Sequence, residues 1–393
     1  MKKTSKKPAP FSAAQFFKQH RLTAAVLLGA AVILLLLRLW AAPAPVEDMG
    51  ATEYAEYETG RVLQVLTDST QADPTSDGAY RGDQMLVVEV TSGRYKGETL
   101  QVYNYVGPLY GVPVKEGDSV ALTISTYQNG DHTATVYEYN RAMPLAVVVA
   151  LFLAAAIAVG GKTGLKSLIG LGVTLLCLFW VLLPALMKGA PTLLTVFLIC
   201  ALIAVVTLTI LGGVEKKTVC AMAGTIAGTA LALLFGVAAQ ALVRIDGLRV
   251  ENVEALLQLR QTGTPIGLRG LLVGGVVISA LGAVMDVTMG IASSLTEVYA
   301  ADSQMSRRDL FRSGMNIGRD MVGTMTNTLI LAFLGSSFVL ILYLYSMNLS
   351  LHQLLSSAFL SIEVVSGISS SIGVILSIPI TAAITAYALT REK

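Results

Sequence analysis

Charged residues are scarce in this sequence. They make up only 14% of the chain, against about 25% in an ordinary soluble protein, and the formal net charge is only +2. A chain with so little net charge offers no strongly basic surface. We therefore expect no nucleic-acid partner.

Cysteine and histidine are equally rare, with three of each. Cys177, Cys200 and Cys220 form no CxxC pair and all fall within apolar stretches, and an odd number of cysteines argues against a disulfide framework. The histidines lie far apart in the sequence. The sequence therefore gives no reason to expect a metal site or a cofactor.

Hydrophobic residues make up 54% of the chain. They are grouped in nearly uncharged stretches of 18 or more residues, each long enough to cross about 30 Å of hydrocarbon as a helix. This pattern predicts a polytopic α-helical membrane protein, with the lipid bilayer as its first partner. A second copy of the chain or a related membrane subunit stays open as a protein partner. We expect about eight transmembrane helices, over residues 22–42, 143–160, 167–187, 191–212, 218–243, 268–297, 323–346 and 356–389.

Residues 50–140 have a different character. Short runs rich in Val, Thr and Tyr alternate there with Gly, Asp and Asn, which is typical of strands joined by turns. Five or six strands in this length predict a small all-β domain, either an OB-like barrel or a sandwich. It would lie between the first and second helices.

The distribution of Lys and Arg predicts the orientation of the helices. A basic tail, 1–21, precedes the first helix, 22–42, which is either an uncleaved anchor, the reading we favour, or a signal peptide. Both termini and the link 298–322 would then be cytoplasmic, with the β domain and the loop 244–267 outside. The seven-helix membrane domain would span 143–393. The loop and the link each read as an amphipathic helix, the link with two glycine hinges, and "GGKTG" (160–164) reads as a basic inner turn.

The sixth predicted helix contains "GAVMDVTMGIASSLTEV" (282–298), with Asp286 inside the apolar run. An ionised carboxylate in hydrocarbon costs about 2.5 kcal/mol or more. Steps of three and four residues place a set of small or acidic residues on one helix face, which therefore faces protein or a water-filled cavity. The set is Gly275, Ser279, Gly282, Asp286, Gly290, Ser293 and Glu297.

Other helices carry matching polar residues. The candidates for an ion or proton pathway are Asp286, Glu297, Glu363, Asn327, Thr324 and Thr328. The candidates for close helix packing, where small residues let backbones approach in lipid, are Gly275, Gly282, Gly290, Gly224 and Gly228. Asp286 has the alternative of a buried carboxylate bonded to Thr or Asn, and Glu297 that of a solvated residue. The Gly/Ser-rich segment 366–373 predicts a break in the last helix.

Three blocks of the sequence resemble the YibE/F family of bacterial membrane proteins. They read "LRGLLVGGVVISALGAVMDVTMGIASSLTEV", "LFRSGMNIGRDMVGTMTNTLILAFLGSS" and "SGISSSIGVILSIPITAAI". The resemblance implies a bacterial cell membrane protein of undefined biochemistry. A more distant similarity is to one half of RND-type permeases, which also place an acidic residue in a Gly/Ser-rich helix. Each RND half has six spans rather than eight, so that similarity serves only as an analogy.

Two functions fit these patterns. The first is a permease coupled to protons or cations through Asp286. The second is a non-transporting scaffold or sensor whose outer β domain binds a partner or an envelope ligand. Only transport requires Asp286 to ionise. We do not expect an enzyme, because the chain has no HExxH, no GxGD around Asp286 and no Ser/His pair within its spans.

Overall fold

A computed structural model describes residues 13–41, 53–127, 131–248, 253–261 and 263–391. The chain forms two compact units, one of residues 45–155 and one of residues 1–44 together with 156–393. Residues 1–12 of the predicted basic tail lie outside the described part. The rest of that tail already belongs to the first helix, α1, Ala13–Ala41.

The smaller unit contains a β-barrel. Its first strand, β1, pairs with both β3 and β5, which closes the sheet, and β4 pairs in parallel with β6. Without the short β2, the strands follow the order β1-β3-β4-β6-β5-β1, which is the order of an OB fold. The prediction of a small β domain is thus resolved as a barrel rather than a sandwich. The strands are β1 Glu53–Asp68, β2 Gln71–Asp73, β3 Ala79–Val90, β4 Thr99–Val106, β5 Ser119–Tyr127 and β6 His132–Tyr139.

Alternation of side chains along the strands fills the barrel. On β3, Leu86, Val88 and Val90 are buried, because successive side chains of a strand point to opposite faces. One polar pair also lies inside: the Asn104 side-chain amide donates to Gln84 Oε1 at 2.9 Å. Buried polar groups need such partners, so the pair fixes how β3 and β4 meet.

The larger unit consists of helices. Six helices are long and apolar enough to cross a membrane, or up to seven if the bent pair α8–α9 is one span, within the described ranges. The remaining helices are α2 Ala142–Leu176, α3 Leu183–Met187, α4 Thr192–Gly212, α5 Lys216–Val243, α6 Val253–Gln261, α7 Leu271–Ala301, α8 Arg307–Ser336, α9 Phe338–Ser346, α10 Leu351–Leu355 and α11 Ala358–Thr390. A π-helical turn, Cys177–Leu182, joins α2 to α3.

The segment Ala142–Met187 covers two of the spans predicted from the sequence. Its helical geometry is interrupted at Gly161, where φ is 53° and ψ is −132°. A Cβ on Gly164 would collide with the carbonyl oxygen of Ala156, although positions eight apart lie about 12 Å from each other along a straight helix. The backbone therefore turns back sharply at Gly161, inside the predicted "GGKTG" turn.

The predicted cytoplasmic link 298–322 is largely absent as a separate element. Helix α7 runs to Ala301 and α8 begins at Arg307, so only residues 302–306 connect them. The supposed hinge Gly314 packs closely, since its Cβ would lie 2.9 Å from the Ala382 Cβ. Gly318 likewise contacts α11. The chain bends instead after α8, where α9 departs at 61°.

The predicted break in the last span is wrong. Helix α11 continues without interruption from Ala358 to Thr390, about 50 Å at 1.5 Å per residue. Two of its buried hydroxyls bond to their own helix: Ser377 Oγ donates to the Val374 carbonyl and Thr381 Oγ1 to the Ser377 carbonyl, both at 2.7 Å. Both residues stay within the helix and present small side chains to α5.

Hydrogen bonds join neighbouring segments at two levels of the larger unit, one at each end of the long helices. At one level, the Val214 amide donates to Thr23 Oγ1 at 3.4 Å, and Arg307 Nε donates to Thr390 Oγ1 at 3.2 Å. At the other level, side-chain donors reach backbone carbonyls at the end of α1 and in the loop before α7. These bonds are Lys188 Nζ to Trp40 at 2.6 Å, Thr192 Oγ1 to Gly267 at 2.9 Å and Gln240 Nε2 to Arg269 at 3.4 Å.

Candidate functional site

Asp286 is the central residue of α7, which runs from Leu271 to Ala301. Exposure divides this helix into two faces. The bulky residues Val277, Leu281, Val284, Ile291 and Leu295 are all buried, whereas Gly275, Ser279, Gly282 and Asp286 are exposed. The division follows the helical spacing of the sequence, and it leaves the carboxylate on the small, polar face.

That polar face borders a cavity of about 660 Å³ between α2, α4 and α7. Along α7 the lining extends from Ile278 to Ser293, which corresponds to about 23 Å. Most of the wall is apolar. Its oxygen-bearing side chains are Asp286, Ser167, Thr174, Thr207, Ser279 and Ser293.

Several polar groups of this wall have no partner among the described residues, Asp286 and Thr207 among them. Asp286 makes no hydrogen bond or ion pair with any residue that the structure describes, and Thr207 Oγ1 is buried without a hydrogen-bond partner. A buried hydroxyl such as that of Thr207 is normally satisfied by protein, water or ligand, and the cavity is large enough to hold water. The arrangement therefore suits a hydrated compartment around a single carboxylate.

Comparison with known proteins identifies the family. The model of the YibE/F-like protein family matches residues 148–391, more than half of the chain. The chain belongs to the YibE/F family. The matched residues include every helix that lines the Asp286 cavity, whereas the β-barrel and α1 lie before them. No curated protein and no solved structure matches this YibE/F chain, so the comparison with RND-type permeases remains an analogy.

Several predicted site residues of this YibE/F protein lie away from Asp286. Asn327, Thr324 and Thr328 are exposed on α8 and do not line the cavity. Thr324 Oγ1 donates to the Met321 carbonyl at 3.1 Å and Thr328 Oγ1 to the Thr324 carbonyl at 2.8 Å. These hydroxyls therefore bond to their own helix, and the idea that they satisfy Asp286 is wrong in this structure.

The two glutamates are also separate from the cavity. Glu297 is exposed on α7, one turn beyond Ser293, where the lining ends. Glu363 lies in a different pocket, formed by α8, α9 and α11. A direct relay from Asp286 to either glutamate finds no support in the geometry.

Ser279 and Ser293 were predicted on the face of Asp286, but the hydroxyls that line the cavity from α2 and α4 were missed by the sequence reasoning. Ser167 and Thr174 lie two helical turns apart on α2, so helical spacing could have placed them on one face. Thr207 stands on α4 among apolar residues, and no local pattern distinguishes it from an ordinary helix threonine.

The glycines proposed for helix packing divide into two groups. A Cβ on Gly228 would lie 2.7 Å from Ser377 Cβ, and one on Gly224 would collide with Thr381, so both occupy close contacts with α11. Gly275 and Gly282 have nothing within 4 Å of an added Cβ. The close packing expected of those two is therefore wrong, because their face borders open space. For Gly290 the nearest atom is Met321 Cε at 3.0 Å, the end of a flexible side chain.

Proposed function

We propose that the protein is a membrane permease whose transport step is coupled to the movement of protons or cations through Asp286. One observation carries the proposal: an unpaired carboxylate at the centre of a long apolar helix opens into a cavity. Ionisable groups at such positions are costly and usually belong to proton or ion pathways. Protonation or cation binding would neutralise Asp286, and this change of charge is the event to which transport is coupled.

The shape of the cavity supports this reading. Its lining includes Ser167, Leu211 and Ser293, which lie toward the helix ends near the Gly161 turn and the end of α4. In the other direction the α7 lining ends at Ile278 and Ser279, and Ser279 Oγ lies 3.1 Å from Ser370 Oγ on α11. We infer that this contact would close one end of the cavity in an alternating-access cycle.

The proposal includes a membrane topology. Eight spans would place both termini in the cytoplasm, the β-barrel outside, and the protein in the bacterial cell membrane with α1 as an uncleaved anchor. The reversal at Gly161 supports two spans within Ala142–Met187, and the bent α8–α9 pair would form one more. Lys162 and Lys166 then lie inside, as the Lys/Arg bias requires.

Substitutions of Asp286, assayed by complementation of a deletion strain, test whether this residue couples transport to ion movement. Asp286→Asn keeps size and hydrogen bonding but cannot ionise, so it should give a folded, inserted and inactive protein. Glu297→Gln is the matched control, since Glu297 is an exposed carboxylate on the same helix outside the cavity, and it should complement fully.

Asp286→Glu adds information on the bound species. A water-filled proton relay tolerates a carboxylate moved by one methylene, whereas a tight cation site does not. Full complementation by Asp286→Asn at normal expression would eliminate ion coupling. Comparing the metabolite and metal content of cells with and without the protein is the first route to the transported species.

The scaffold or sensor function has a separate observation in its favour. The barrel exposes several tyrosines, and the rings of Tyr57 and Tyr137 meet edge to face with centroids 5.4 Å apart. Tyr103, Tyr105 and Tyr110 are exposed as well, and exposed aromatic side chains are enriched at binding surfaces. If Asp286→Asn complements while Tyr103→Ser with Tyr105→Ser does not, the scaffold function replaces transport.

A further inference from the structure

A second site lies where α9 bends away from α8 and leaves space against α11. Two adjoining pockets of about 270 and 280 Å³ occur there, and both are lined by Ile341 and Leu360. Together they reach the size at which small-molecule sites begin, about 300 Å³ and above. They share no lining residue with the Asp286 cavity.

Among the described residues that line the two pockets, Glu363 is the only charged one. It is half-buried, and it makes no hydrogen bond or ion pair with any residue in the described ranges. Its neighbours in the pocket are apolar, among them Phe333, Leu334 and Val364. A carboxylate in such surroundings is stabilised by a cation that comes from outside the chain.

An aromatic ring lies in the same pocket. Gly367, one helical turn after Glu363, lacks a side chain, and a Cβ built there would be 3.6 Å from Phe333 Cδ2. The ring of Phe333 therefore rests against α11 at Gly367, in the pocket that Glu363 also lines. Aromatic faces attract cations by roughly 0.5–2 kcal/mol, so the ring and the carboxylate favour the same kind of ligand.

The residues that line the Glu363 pocket favour one class of ligand over the others. An inorganic cation such as Ca²⁺ needs six to eight oxygen ligands, whereas the described residues that line the two pockets offer oxygen-bearing side chains only at Glu363, Tyr345 and Asn348. A neutral lipid chain would fill the apolar wall but would leave the carboxylate unpaired. The remaining ligand class combines an apolar body with one positive charge.

We propose that the pocket between α8, α9 and α11 binds a bulky organic cation. The positive centre lies against the Glu363 carboxylate, and the apolar body contacts Phe333, Leu334 and Ile341. This site does not depend on the role of Asp286.

The probe is tetraphenylphosphonium, used with the purified full-length protein in detergent and measured by equilibrium dialysis or calorimetry. We expect saturable binding, and at least a tenfold loss of affinity in Glu363→Gln. Glu363→Asp, which keeps the charge, should retain most of the affinity. Glu297→Gln and Asp286→Asn should bind as the parent protein does.

Tetraphenylborate has the same shape and the opposite charge, so it separates charge from shape, and it should bind much more weakly. Equal binding of the two probes would mean an apolar groove without charge recognition and would overturn the proposal. So would unchanged affinity in Glu363→Gln, or a loss confined to Asp286→Asn, which would place the cation in the other cavity. Thermal denaturation of each variant shows that it is folded before its binding is compared.

Discussion

The contact between α5 and α11 makes the sharpest quantitative prediction. A Cβ added to Gly228 would lie 2.7 Å from Ser377 Cβ and 2.8 Å from Val284 Cγ1, and 3.2 Å from the Gly373 carbonyl oxygen. Non-bonded carbons pack best at about 3.5–4.0 Å. Ser377 and Val284 are both 0% exposed, so neither side chain has room to yield. Gly228→Ala must therefore push α5 away from α7 and α11.

The expected cost follows from two opposing effects. Overpacking typically costs about 1–3 kcal/mol, whereas replacing glycine by alanine within a helix gains about 1 kcal/mol of helix propensity. Gly282→Ala is the matched control, because it gains the same propensity and its added Cβ meets nothing within 4 Å. The difference between the two variants cancels the propensity and leaves the overpacking cost alone, about 1–3 kcal/mol.

Thermal denaturation in detergent measures this difference. At about 2–4 °C per kcal/mol for a domain of this size, Gly228→Ala should melt several degrees below Gly282→Ala, which should match or exceed the parent protein. If the two variants melt together, or if Gly282→Ala is the less stable one, the assignment of the packed and open glycines is refuted.

Two further predictions concern access and orientation. In a cysteine-free background, Gly282→Cys and Ser293→Cys should react with a small water-soluble methanethiosulfonate. Ala280→Cys, on the buried face of α7, should stay unmodified. Equal reactivity of all three variants would exclude a hydrated cavity. A reporter active only in the cytoplasm, inserted at the exposed Gly97 turn between β3 and β4, should be inactive, and strong activity there would overturn the proposed topology.

Local patterns predicted much of the fold. The period of two in Val- and Thr-rich runs located the barrel strands, and helical spacing located the polar face of α7, because both depend only on residues near in sequence. Long apolar stretches located the helices for the same reason. The reversal at Gly161 was also readable, since glycine at positive φ is the usual device for such a turn.

Which helix faces contact each other could not be predicted from local sequence patterns. Helices in a membrane associate through small residues and shape, and nothing in the sequence states that Gly228 meets Gly373 or that Thr207, rather than Thr324, borders the Asp286 cavity. The Gly/Ser-rich segment 366–373 of α11 was interpreted as a break because the whole apolar stretch is longer than one perpendicular crossing needs. In the structure Ser371 and Ser377 donate to carbonyls of their own helix, Ser370 donates to the Val276 carbonyl of α7, and the helix continues through the segment.

The length of the main helices has a consequence for the surrounding lipid. Helices α5, α7, α8 and α11 have 28, 31, 30 and 33 residues, or about 42–50 Å, whereas the hydrocarbon core is about 30 Å thick. The bond between Arg307 and Thr390 holds two of these helix ends together, so the excess length is ordered protein. Hydrophobic mismatch is then absorbed by tilt and by movement of the headgroups along continuous helical walls. We therefore expect a bilayer that thickens or thins by a few ångströms to meet the same packed helices.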